Sequence, residues 1–235
     1  MRKDEFMLGI KSGIPICLGY FSVSMAYGMS VVLSGLPVWA AVLISLTNLT
    51  SAGQFAGSNL ILAGGSYLEI AMTTLIINIR YFLMSLSMSQ KVEEKMTFPQ
   101  RLAVSFGITD EIFAVSMQKV GKLNAPYLAG LILTPLVGWT GGTLAGGILT
   151  SFMPETVSNA LAIALYGMFI AIIIPPAREK KPVLFVVLLS VILSYLFTYL
   201  PLLKSLSGGW GIIIITVAAS AIAAWLFPVE QEEEA

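Results

Sequence analysis

Apolar residues fill this chain in long blocks, broken by short clusters of glycine, proline and charge. A helix crosses a bilayer with roughly 17–25 mostly apolar residues. Blocks of about that length cover residues 13–33, 37–62, 68–88, 126–149, 159–175, 183–200 and 210–227. An eighth, 102–117, is short and carries Asp110 and Glu111 at its middle. Turn chemistry marks the boundaries: Gly35 and Pro37, the Gly64-Gly65 pair, Pro175-Pro176, and Gly208-Gly209. The pattern predicts an all-α integral membrane protein with seven or eight transmembrane helices, some of them broken, forming one transmembrane domain over residues 1–235. The acidic end, 230–235, reads as a solvated tail.

Composition narrows the class. Hydrophobic residues make up 57% of the chain and charged residues only 11%, against about 25% charged in soluble domains. Thirteen basic and thirteen acidic residues cancel, so no basic face points to nucleic acid. Histidine is absent and Cys17 is the single cysteine. That leaves no His- or Cys-based metal site and no internal disulfide, and no cofactor is expected. Walker, dinucleotide and His-dyad signatures are missing, so the chain reads as a non-enzyme. The first apolar block exceeds the 7–15 residues of a signal-peptide core, and the N-terminus is expected to be retained.

Basic residues in short loops set orientation. Arg2, Lys3 and Lys11 place the N-terminus in the cytoplasm, and Arg178, Lys180 and Lys181 place the C-terminal pair of helices (183–227) with both ends there. The middle admits two arrangements. If every block crosses, Lys91, Lys95 and Arg101 lie outside. If 37–62 is re-entrant and 102–117 does not cross, Lys204 is the only basic loop residue outside. An internal repeat favours the first: Phe21-Ser22-Val23-Ser24-Met25 returns as Phe113-Ala114-Val115-Ser116-Met117, and Gly53-Gln54-Phe55-Ala56-Gly57 aligns with Gly142-Thr143-Leu144-Ala145-Gly146. Halves of three helical segments, 9–90 and 100–176, would be inverted in the membrane.

Three constellations could carry chemistry. The segment 47–59 is mostly polar or glycine, yet apolar sequence flanks it. Irregular backbone at membrane depth is tolerated only against protein or a water-filled cavity. Asn48, Ser51, Gly53 and Gln54 therefore read as a broken helix that binds a polar solute, with a half-helix N-terminus suited to a carboxylate. The alternative is close helix packing through Gly53 and Gly57, as through Gly142 and Gly146.

Arg80 comes next, with Asn78 two residues before it. An arginine near mid-membrane costs roughly 2.5–3.5 kcal/mol on insertion scales. Arg80 and Asn78 therefore read as substrate-binding, the guanidinium taking a solute carboxylate or forming a gating pair with Asp110 or Glu111. Residue 88 is roughly 12 Å away at 1.5 Å per residue, deep for snorkelling. A structural ion pair is the other reading. Asp110 and Glu111 are the third constellation: one reading is a site of proton or ion coupling, the other a helix start capped by Thr109. Trp39, Trp139, Trp210 and Trp225 read as interfacial anchors.

Taken in order, Ser51-Ala52-Gly53-Gln54-Phe55-Ala56, then Asn78-Ile79-Arg80-Tyr81-Phe82-Leu83, then Thr109-Asp110-Glu111-Ile112-Phe113-Ala114 resemble the AzlC-type branched-chain amino acid permease family, over about residues 9–228. Gly13-Ile14-Pro15, Gly19 and Ala26-Tyr27-Gly28 fit that family's first helix. Two positions depart from it: Gln54 follows Gly53 directly, and Tyr81 stands where histidine is usual. The resemblance implies an inner-membrane exporter of branched-chain amino acids, driven by a proton or solute gradient. It also implies a small AzlD-type membrane partner. A channel component and a structural subunit are the rival classes.

Overall fold

The structure, a computed structural model, describes residues 2–150, 152, 170, 173–200 and 209–228. Among these, helices α1 (Arg2–Leu33), α2 (Val38–Thr47), α3 (Ser51–Leu62), α4 (Tyr67–Asn78), α5 (Arg80–Lys91), α6 (Phe98–Ser105), α7 (Asp110–Gln118), α8 (Ala125–Thr150), α9 (Lys181–Tyr199) and α10 (Gly209–Leu226) follow one another, with no strands. Among the described residues, four helices are long and apolar enough to cross a membrane: α1 from Lys3, α8, α9 and α10. The pair α4–α5, bent by 47° at Ile79, supplies a fifth. The block 159–175 lies largely outside the described residues, as does the acidic tail.

Helix ends follow local chemistry. Positive φ at Gly35, Gly64 and Gly121 turns the chain after α1, α3 and α7, a conformation that a Cβ would strain. Ser66 Oγ accepts from Glu69 N–H at the start of α4, and Thr109 Oγ1 accepts from Ile112 N–H at the start of α7. Gln100 Oε1 accepts from the Thr97 N–H before α6.

The spine is the seam between α1 and α8, which run parallel. A Cβ on Gly138, Gly142 or Gly146 would overlap the carbonyl groups of Cys17, Phe21 and Met25 in turn. From the other side, Gly9 and Gly28 meet Tyr127 and Thr143 in the same way. Small residues let membrane helices approach to backbone contact, where dispersion replaces the missing hydrophobic drive. For Gly142 and Gly146, packing is therefore the correct reading.

Contacts along this spine give each remaining helix a depth. Near the end of α1, Val32 and Val38 pack on Gly147, so α2 starts at that end. It descends until Ser45 bonds to Thr143, and the break at 48–50 lies deeper still. Going back, α3 climbs past Tyr27, whose ring packs on Phe55 and whose hydroxyl bonds to Ser58 at 2.7 Å. The α2–α3 pair thus re-enters and leaves at one end. Running beside α3 in the opposite sense, α4 brings Thr74 to Gly57 and Asn78 to Gly53. Once past the bend, α5 continues to the opposite end, where Leu123 N–H bonds to the Lys91 carbonyl.

That second end is the N-terminal end of α1: Asp4 and Glu5 share a polar cleft with Glu93, Lys95, Gln100 and Asn124, and Glu5 pairs with Lys119 at 2.9 Å. Both ends of α6–α7 therefore lie there, while Thr109 between them reaches mid-depth at Tyr20. In these contacts blocks 37–62 and 102–117 each fold back to the end of the spine from which they start, and neither is a single helix long enough to span.

The segments matched in the expected repeat lie in unlike elements, and its second half, 100–176, extends beyond the described residues. Phe21–Met25 sits inside a 32-residue helix, whereas residues 113–117 belong to the short returning arm α7. In chain order, the long helix α1 is followed by the broken hairpin α2–α3, and the bent pair α4–α5 by the broken hairpin α6–α7. Thr50 and Thr109 hold the same place in the two hairpins, directly before the returning arm.

The C-terminal pair packs on itself, with Phe185 and Phe227 at 5.5 Å between ring centroids. It joins the rest through Glu69, whose Oε1 accepts from the Gly209 N–H at 2.6 Å.

Candidate functional site

The tips of the two re-entrant hairpins face one another across a cavity of about 430 Å³ at mid-depth. Its walls come from one face of α1 (Ile16, Gly19, Tyr20 and Val23), from Leu49 and Ser51 at the first tip, from Thr109, Asp110 and Glu111 at the second, and from Tyr81 and Trp139. The volume falls in the range of small-molecule sites, roughly 300–1,000 Å³. Most of the lining is apolar, with the polar groups gathered at the tips.

The tips differ in charge. Returning arm α3 starts without a side-chain cap, because Thr50 Oγ1 bonds instead to Asn48 Oδ1 at 2.5 Å. Its first turn holds no acid, so it presents bare N–H groups and partial positive charge. The arm α7 is capped by Thr109 and carries Asp110 and Glu111 in its first turn. Its tip is negative.

Each acid has a partner. Asp110 Oδ2 pairs with Arg80 at 2.9 Å, both side chains being partly exposed. The Arg80 guanidinium also lies 5.2 Å from the Tyr81 ring centroid. Glu111 Oε2 bonds to the Tyr20 hydroxyl, which also lies 2.7 Å from Thr109 Oγ1. A phenol has one proton to give and an ionised carboxylate can only accept, so Tyr20 donates to Glu111 and Thr109 donates to Tyr20.

Of the residues singled out in the sequence, Ser51, Asp110 and Glu111 line the cavity, and Arg80 reaches it through Asp110. Gln54 stands behind the wall, 1% exposed. Its amide is engaged at both ends, donating to Ser45 Oγ at 2.6 Å and accepting from Trp139 Nε1 at 2.8 Å. Ser45 continues the chain to Thr143 at 2.7 Å. Asn78 donates weakly to Thr50 Oγ1 at 3.4 Å, and its buried Oδ1 has no partner among the described residues. Asn48 and Gly53 complete this cluster at the break, Gly53 because a Cβ would collide with the Asn78 amide.

Sequence reasoning missed Tyr20, Tyr81 and Trp139 as wall residues. Trp139 is 1% exposed at mid-helix, not an interfacial anchor. Its indole N–H needs a buried acceptor, and Gln54 supplies one. Trp39 and Trp225, by contrast, are exposed.

The family model described as AzlC protein matches residues 15–153, which hold most of the spine, both hairpins and every cavity residue. The chain belongs to the AzlC protein family. An uncharacterized membrane protein of Archaeoglobus fulgidus is 29% identical over 76% of this chain and 79% of its own length. The inner membrane protein YgaZ of Escherichia coli is 25% identical, covering 75% of each chain. Bacillus subtilis contributes a relative named branched-chain amino acid transport protein AzlC, 24% identical over 72% of this chain and 66% of its own. No solved structure matches. The AzlC-type chain described here is thus a membrane protein of a transport family.

Proposed function

We propose that this AzlC-type chain is a secondary transporter that exports branched-chain and other apolar amino acids across the cytoplasmic membrane. The observation that carries the reading is the pairing of two hairpin tips of opposite charge across one largely apolar cavity. A zwitterion fits that polarity. Its carboxylate meets the open N–H groups of α3 at Ser51, its ammonium meets Glu111 and Asp110, and its side chain lies against Ile16, Val23, Leu49 and Trp139. Half-helix N-termini serve anionic groups in this way in many transporters. The name of the Bacillus subtilis relative supports the substrate class.

In this proposal Arg80 and Asp110 form a gating pair that opens when the solute carboxylate competes for the guanidinium. Asp110 or Glu111 takes up the coupling proton. Asn48, Gln54, Gly53 and Asn78 hold the broken backbone in place from behind. Lys3, Lys91, Lys95, Arg101, Lys119 and Lys122 gather at the N-terminal end of α1, which makes that end cytoplasmic by the positive-inside rule. A small AzlD-type membrane subunit completes the transporter.

Counterflow of labelled leucine into proteoliposomes loaded with unlabelled leucine tests the proposal, with and without that subunit. Saturable exchange blocked by valine, isoleucine and methionine but not by lysine is expected. Folded protein that exchanges none of them under either condition would overturn it.

A further inference from the structure

The glycines of α1 divide by what lies beside them. Gly9, Gly13 and Gly28 face α8, and a Cβ on any of them would press on the α8 backbone at Tyr127, Leu131 or Thr143. Gly19 differs: a Cβ built there meets nothing within 4 Å among the described residues. It sits on the same face as Ile16, Tyr20 and Val23, the face that walls the cavity. Among the lining residues it alone has no side chain. Its φ is not positive, so the backbone does not ask for glycine. Inside a helix glycine is less stable than alanine, and neither packing nor conformation explains its presence here. What it contributes is empty space inside the wall.

We propose that Gly19 is the specificity-determining position of the cavity: the void beside it receives the apolar side chain of the solute and sets the largest one admitted. This rests on the amino-acid reading given above. The position suits the role. Leu49 and Trp139 close the apolar part of the cavity with bulky groups, and Trp139 is fixed by its bond to Gln54. A site with one open position and rigid neighbours discriminates by size. In a tight apolar pocket one methylene changes selectivity by about 10- to 200-fold.

A graded series on the full-length chain, Gly19→Ala and Gly19→Val, tests this by competition of alanine, valine, leucine and phenylalanine against labelled leucine counterflow and in a direct binding assay. Gly19→Val is expected to weaken leucine and phenylalanine at least tenfold relative to alanine, with Gly19→Ala between it and wild type. Thermal stability in detergent should stay level or rise, because the new methyl groups enter open space. An unchanged size profile in folded Gly19→Val would overturn the assignment. So would an equal loss for all four solutes already in Gly19→Ala, the result expected if glycine were needed as a hinge. Wild-type protein that binds none of the four would overturn the amino-acid reading itself, and this inference with it.

Discussion

The indole N–H of Trp139 donates to Gln54 Oε1 at 2.8 Å, tying the α8 wall of the cavity to the first turn of α3. Both partners are buried, and Gln54 also binds Ser45. Deleting the amide in Gln54→Ala leaves the Trp139 N–H without an acceptor, a loss of roughly 1–3 kcal/mol for an unsatisfied buried group. The variant should lose its fold at a temperature several degrees lower, read by monodispersity after heating in detergent. Unchanged stability would show that the bond carries no weight.

Arg80 and Asp110 provide a test by exchange. Arg80→Ala should cut transport more than tenfold at normal expression, and Asp110→Ala likewise. The swap of both charges, Arg80→Asp with Asp110→Arg, should recover part of the loss if the pair itself matters. Both groups are partly exposed, so little change in stability is expected. Full transport by Arg80→Ala would remove the gating role.

Neighbouring glycines on α8 make a controlled pair. A Cβ at Gly142 overlaps Ser24 and the Phe21 carbonyl, whereas one at Gly141 meets nothing within 4 Å among the described residues. Overpacking costs roughly 1–3 kcal/mol and more where backbone is the obstacle. Gly142→Ala should therefore lower the yield of folded protein, and Gly141→Ala should not. Equal tolerance of both would contradict the parallel α1–α8 seam.

The re-entrant assignment predicts sidedness. In a Cys17→Ser background, cysteines at Ser34 and Tyr67 should react with an impermeant thiol reagent from outside the cell. Cysteines at Glu94 and Lys122 should react only from the cytoplasmic side. Labelling of Ser34 and Glu94 from one side would require block 37–62 to cross, and labelling of Glu94 and Lys122 from opposite sides would require block 102–117 to cross.

Much of this architecture was legible in the chain. The polar run 47–59 announced a broken helix, and Thr109 before two acids announced a helix start; both occur. Arg80 and Asp110 were legible as partners because each is costly alone at membrane depth. Crossing and re-entering were not separable by length, since α2 plus α3 is as long as a true span and only contacts along α1 reveal the return. The expected repeat pairs Phe21–Met25, inside long α1, with residues 113–117 in short α7, so likeness in composition did not carry likeness in element. Trp139 was misread because tryptophan serves interfaces and buried walls alike, and its acceptor lies 85 positions away. Gly19 was legible only as part of the first-helix resemblance, and the space beside it emerged only from the fold.

The central claim is that the two hairpin tips read the two charges of one amino acid. Binding of leucine, of leucinamide, which lacks the carboxylate, and of 4-methylvalerate, which lacks the ammonium, tests it most directly in wild type and in Glu111→Gln. The account predicts that leucine binds at least tenfold more tightly than either analogue. It further predicts that Glu111→Gln weakens leucine and leucinamide while leaving 4-methylvalerate unchanged. Equal binding of all three, or an equal loss of all three in a folded Glu111→Gln protein, would contradict it.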